Sequence, residues 1–145
     1  SSPRIGSIGR AIEIGAGVFG GRFVPLLVGA PALRRYTLFG NLFATLGGET
    51  FRIDRHPVMR AHPVTPMDEA DLRVHLGRQT SRSIALMDLL QLTGTPSEVD
   101  RRFEALLERR PEIVLFDVLD DARLAEAGRL IWRSRPPFAA GSSGI

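Results

Sequence analysis

Apolar residues along this chain follow two rhythms, one of helices and one of buried strands. Ile8, Ala11, Ile12 and Val18 recur at helical spacing, which predicts an amphipathic helix over residues 10–19 with Ser7 as its N-cap. Val24-Pro-Leu-Leu-Val-Gly29 is nearly all apolar, the pattern of a parallel-type strand buried on both faces. Residues 36–43 and 49–53 read as further extended segments, with Gly47-Gly48 turning between them. Thr65-Pro66 ahead of Asp68-Glu69 predicts a helix start with Thr65 as N-cap, the helix running to about Arg78. Residues 83–87 form the next strand, and 89–92 extend or follow it. Ser97 caps a helix through Arg110 whose inward stripe is Val99, Phe103, Leu106 and Leu107. Residues 113–118 are the clearest central strand. Asp121 opens a helix to about Arg133, with Leu124, Ala127, Leu130 and Ile131 facing inward, and residues 138–140 make a last short strand.

Strand, helix, strand, helix, strand over the second half predicts an α/β fold: a three-layer, doubly wound, mainly parallel sheet with helices on both faces. Ligands of such sheets sit beyond the carboxyl ends of the strands. Asp117 and the run Gly141, Ser142, Ser143, Gly144 fall at that edge. Asp117 either faces a ligand there or caps the next turn.

Composition narrows the class. A chain of 145 residues, 43% hydrophobic, makes one domain with a real core. Its longest apolar run, residues 23–33, is broken by Pro25, Gly29 and Pro31 and is too short to span a bilayer. With no leader ahead of it, the cytoplasm is the expected compartment and no membrane the expected partner. The absence of cysteine excludes disulfides, thiolate nucleophiles and sulfur-ligated metals. A net charge of +3 and a pI near 10.8 resemble a nucleic-acid signature, but every basic residue other than histidine is arginine, whose high pKa alone lifts the pI. The arginines are interspersed with nearly as many acids, and the doublets Arg34-Arg35, Arg101-Arg102 and Arg109-Arg110 read as solvated faces, so no nucleic-acid partner is expected.

The chemistry concentrates in residues 53–67. Pro57, Pro63 and Pro66 forbid a helix there, and the loop carries Asp54, Arg55, Arg60 and the pairs His56-Pro57 and His62-Pro63. Guanidinium forks match carboxylates or phosphates, and imidazoles titrate near neutral pH. The plainer reading is a stiff crossover whose histidines satisfy backbone carbonyls. Gly6-Ser-Ile-Gly9 opens the first helix and presents amides suited to an anion. Asn41 either orients a ligand or caps a bulge. His75, inside the helix expected from Thr65 to about Arg78, reads as a packing or surface residue. No nucleophile elbow, Walker lysine or dinucleotide fingerprint occurs, and His56, His62 and His75 lack the helical i, i+4 pairing of a zinc motif, so no metal site is expected.

Gly6-Ser-Ile-Gly9, Phe39-Gly-Asn-Leu-Phe-Ala44, Asp54-Arg-His-Pro57, His62-Pro-Val-Thr-Pro-Met67 and Gly141-Ser-Ser-Gly144 resemble the N-terminal, sugar-binding domain of the four-carbon acid sugar kinases. The resemblance covers almost the whole chain and implies a cytoplasmic, ATP-dependent kinase acting on threonate, erythronate or a 2-oxo-tetronate at the terminal hydroxyl. It implies that this chain is the acid-sugar-binding domain, truncated at its start, and that ATP and Mg2+ are held by a C-terminal domain absent here. On that resemblance Arg55 and Ser7 take the carboxylate, while Asp54, His56 and His62 orient hydroxyls. Gly141, Ser142, Ser143 and Gly144 form the rim facing the nucleotide domain. The family's Phe-Ala-Asp-Asp-Leu-Thr-Gly segment is not in this chain, and the catalytic base is expected there, leaving the fragment inactive by itself. The alternative is a non-catalytic ligand- or protein-binding module, as the type III effector label of some members suggests. A homo-oligomer is left open.

Overall fold

The computed structural model of the chain describes residues 2–142. Its helices are α1 (Ile8–Phe19), α2 (Leu72–Gly77), α3 (Pro96–Glu108) and α4 (Asp121–Ser134). Its strands are β1 (Val24–Leu27), β2 (Arg35–Leu38), β3 (Asn41–Leu46), β4 (Glu49–Arg52), β5 (Ile84–Met87), β6 (Ile113–Phe116) and β7 (Ala140–Gly141). The expected rim residues Ser143 and Gly144 lie outside the described residues.

β5, β6, β1 and β7 pair in that order, all parallel. Successive side chains of a strand point to opposite faces, and β6 divides accordingly. Val114 and Phe116 join a core with Phe103, Leu107, Ala127 and Leu130 of α3 and α4. Ile113 and Leu115 join a second with Ile12 of α1, Leu72 and Leu76 of α2, and Leu42 and Ala44 of β3. Helices thus cover both faces, and β1 and β6 are buried at every position. No described helix is long and apolar enough to cross a membrane.

Residues 35–52 form a separate antiparallel sheet, β2-β3-β4. The expected single segment 36–43 breaks at Phe39 and Gly40, with φ of 49° and 79°, a turn in which both central residues are left-handed. A bulky residue adopts that conformation only when held there. Asp117 holds it: the buried carboxylate accepts from the amides of Phe39 at 2.5 Å and Gly40 at 2.9 Å, and from Leu89 at 3.1 Å. The end of β6 is thereby fastened to the turn of the second sheet. Burial pushes the Asp117 carboxyl up, and the amides of Gly40, Phe39 and Leu89 pull the other way. Asp117 therefore caps a turn, and Asn41 does the same, its amide donating to Phe39 O at 3.2 Å. Asp117→Ala leaves one buried and two part-buried amides without acceptors and is expected to cost on the order of 3 kcal/mol of stability. An unchanged denaturation midpoint in urea would contradict this account of the turn.

Two expected helix starts move. The segment beginning at Thr65 becomes helical only at Leu72, with Asp71 as N-cap accepting from Arg73 N at 2.9 Å. Residues ahead of it are tied elsewhere: Thr65 N donates to His62 Nδ1, Met67 N to Met59 O, and Met67 is buried. Tertiary anchoring overrides the Thr-Pro signal. Likewise the cap of α3 lies two residues before Ser97, at Thr95, whose amide donates to the Glu98 carboxylate at 2.8 Å, a reciprocal capping arrangement. Residues 89–92 form a turn after β5.

Candidate functional site

A cavity of about 340 Å³ opens at the carboxyl ends of β1 and β7. Leu26 and Val28 come from β1 and its continuation, Gly141 and Ser142 from the end of β7, and Leu42, Ala44 and Thr45 from β3. Residues of the 53–67 loop and of α2 complete the wall, including His56, Met59, Met67 and His75. Position and depth follow from topology, because the antiparallel sheet and the loop are carried over the edge where parallel strands end. The lining contains Arg34 and Arg35 but no aspartate or glutamate. Neither arginine is among the ion pairs of the described residues. Arg34 sits at φ 53°, a left-handed position, with its amide donating to Pro31 O and its carbonyl accepting from Thr45 N. Such a conformation in a residue other than glycine is strained, and strain of this kind gathers at functional sites.

The two His-Pro pairs build the same local device. His56 Nδ1 accepts from the amides of Val58 and Met59 at 3.2 and 3.1 Å. His62 Nδ1 accepts from those of Val64 and Thr65 at 3.3 and 3.0 Å. Each ring caps the turn that its proline begins, and each must carry its proton on Nε2. The sequence suggested rings satisfying carbonyls, whereas they satisfy amides. His56 is buried and lines the cavity, while His62 is half-buried and does not.

The other sequence-derived site residues divide. Gly141 and Ser142 lie on the cavity wall. Asp54 is engaged by Arg52 in a two-point pair at 2.7 and 2.6 Å, which holds its carboxyl below the usual range. The Arg55 side chain is 72% exposed and 3.9 Å from Asp54, outside the lining. Ser7 is the N-cap of α1, but its hydroxyl makes no capping bond, and the amide of Gly9 donates to Gln79 Oε1 at 3.0 Å. One amide of that helix start is therefore already filled by protein. Arg34, Arg35 and His75 were not singled out as site residues by sequence; the doublet 34–35, read as a solvated face, could have been set apart from the other two because it has no neighbouring acid.

A second concavity, about 410 Å³, surrounds Arg10, Glu13, Arg82 and Glu112 at the opposite end of the sheet. Its charges are neutralised by the pairs Arg10–Glu13 and Arg82–Glu112. No group of three potential metal ligands occurs among the described residues.

The family model described as "Sugar-binding N-terminal domain" matches residues 1–145. The chain is 54% identical over 147 aligned residues to a 3-oxo-isoapionate kinase of Paraburkholderia graminis, covering 100% of this chain and 31% of that protein. It is 29% identical over 115 residues to a 3-oxo-tetronate kinase of Methylobacterium radiotolerans, covering 79% of this chain and 26% of that one. It thus spans less than a third of the curated relatives it matches. A solved Haemophilus influenzae protein of family DUF1537 shares the fold with a TM-score of 0.79 at 18% identity, covering 99% of this chain and 34% of that one.

Proposed function

Given that the chain belongs to the sugar-binding N-terminal domain family of the four-carbon acid sugar kinases, we propose that its cavity holds the acid sugar for an ATP-dependent kinase. The observation that carries this reading is the acid-free lining with two guanidinium groups, Arg34 and Arg35, that form no ion pair among the described residues. Guanidinium forks pair bidentately with a carboxylate, and an anionic ligand meets no like charge from the wall. Ser142 and the Nε2–H of His56 offer hydrogen bonds to hydroxyls, while Leu26, Val28, Leu42 and Met67 pack against the carbon chain. The names of the two curated relatives point to a short oxo-acid sugar, with threonate and erythronate as simpler members of the class. Arg55, beside Asp54 on the same loop, serves the approach to the cavity, and Asp54 and His62 keep the loop's shape. Ser7 takes its part through the start of α1, whose Ile8 lies on the wall.

Phosphoryl transfer to the terminal hydroxyl is then mostly positioning. The described residues do not fit a nucleoside triphosphate with Mg2+: the chain has no lysine, no phosphate loop after a strand, and no cluster of metal ligands among the described residues. ATP, Mg2+ and the base that takes the hydroxyl proton are assigned to other parts of the longer polypeptide. His56 is unsuited to base duty, because its Nδ1 is already an acceptor of two amides and its Nε2 carries the proton. Titration calorimetry of this domain and of the full-length protein with threonate, erythronate and ATP tests the division. The domain is expected to bind acid weakly and ATP not at all, and tight ATP binding to it would overturn the proposal. Absence of acid binding by either would leave a non-catalytic module.

A further inference from the structure

The side of α4 turned away from the sheet carries a pattern that the chain's own packing does not explain. Asp121, Ala125, Gly128, Trp132 and Arg135 follow one another at alternating intervals of four and three residues, and all five are exposed. That spacing sets them in one line along a helix. Trp132, the one tryptophan of the chain, is 83% exposed, and the partly buried Leu124 and Ile131 flank the line. Gly128 stands in the middle of α4, where glycine weakens a helix, yet a side chain at this position would meet nothing within 4 Å. No contact inside the chain requires a glycine there. Asp121 and Arg135 form no ion pair among the described residues. They stand at opposite ends of α4, about 21 Å apart along its axis, too far to pair with each other.

We propose that this line is the contact between two copies of the chain, related by a two-fold axis beside Gly128, with their α4 helices near-antiparallel. Gly128 is the midpoint between Asp121 and Arg135 in sequence. The arrangement therefore brings Asp121 of each copy to the partner's Arg135, and an isologous contact makes that ion pair twice. It also lays Trp132 of each copy beside the partner's Ala125, a large ring against a small residue, while glycine at the crossing lets the two backbones approach. A parallel pairing would set like charges against each other at both ends and one tryptophan against the other. Each indole ring can bury about 150–250 Å² in such a contact. One helix pair is smaller than a standard interface, so the dissociation constant is expected in the micromolar range.

Sedimentation velocity of the full-length protein over about 1–100 μM tests this, and the wild type is expected to pass from monomer to dimer across that range. Trp132→Ala should raise the dissociation constant at least about 30-fold. Gly128→Leu is the control for folding: leucine is the better helix former and meets nothing in its own chain, so the melting temperature should not fall while the dimer is blocked. Asp121→Arg and Arg135→Asp should each weaken the dimer about tenfold, because each sets like charges together twice. Aspartate tolerates the left-handed φ of 46° at position 135. An equimolar mixture of these two variants should regain the wild-type affinity, since the mixed dimer restores both ion pairs. A wild type that stays monomeric throughout, a dimer that survives both Trp132→Ala and Gly128→Leu, or a mixture no tighter than its components would overturn the inference. None of the five residues lines the cavity, so the acid-sugar reading stands or falls separately.

Discussion

Replacing Arg34 and Arg35 together by alanine in the full-length protein is expected to lower kcat/KM for a four-carbon acid sugar by two to three orders of magnitude, about 3–4 kcal/mol. The fold should survive. Both side chains are exposed and neither belongs to a hydrophobic core, so their removal takes charge from the cavity rather than packing from the core. Arg34 allows a sharper test because its backbone is left-handed at φ 53°. Glycine relieves that strain, at the cost of a freer unfolded chain, while still removing the guanidinium. Arg34→Gly is therefore expected to weaken binding with little change in melting temperature. Arg34→Lys keeps the charge but loses the planar fork and should recover only part of the activity. Arg55→Ala supplies the contrast: a loss as large as that of the Arg34–Arg35 pair would place the carboxylate on the 53–67 loop instead.

How legible the chain was depends on what each segment packs against. The parallel strands could be read because Val24, Leu26, Ile113, Val114, Leu115 and Phe116 are buried on two faces and so leave long apolar runs. The helix stripes of α3 and α4 were equally plain, since one face of each meets the sheet. Of the antiparallel sheet, the segment 49–53 and the Gly47-Gly48 turn were legible, but the turn that splits 36–43 was hidden because it rests on Phe39, which adopts left-handed geometry only through the Asp117 carboxylate, 78 residues away in sequence. No local signal encodes that contact. The 53–67 loop announced itself by composition, yet composition could not say which way its imidazoles would face; both Nδ1 atoms turned inward to local amides. Arg34 and Arg35 looked like solvent-facing charge, and only the tertiary arrangement puts them on a wall free of acids. His75 was read as a packing residue, and packed it is. What the sequence could not show is that Gln79 reaches past it to Gly9 and Ser2.

Acid should destabilise this domain through the same histidine. His75 has a folded pKa of about 4 against an ordinary value of 6.5, because burial penalises the imidazolium foremost. The unfolded chain takes up the proton near pH 6.5, and the folded one only near pH 4. Between those values the unfolded state binds more protons, so the contribution is intact above about pH 6.5 and is lost as pH falls through about 4. The gap corresponds to about 3 kcal/mol when fully expressed. Arg78 opposes a charge on the ring, whereas Glu69 and Asp68 favour one, but burial outweighs both. Carboxylates such as Asp54, held low by Arg52, also lose their contribution in acid, and a wild-type curve alone would mix the two causes. The difference between wild type and His75→Phe separates them, since only the histidine changes. Between pH 7.5 and 4 the wild-type denaturation midpoint should fall relative to that of His75→Phe, whichever of the two is the more stable at pH 7. Parallel curves would show that His75 takes up its proton in the folded state as readily as in the unfolded one, and that its burial carries no electrostatic cost.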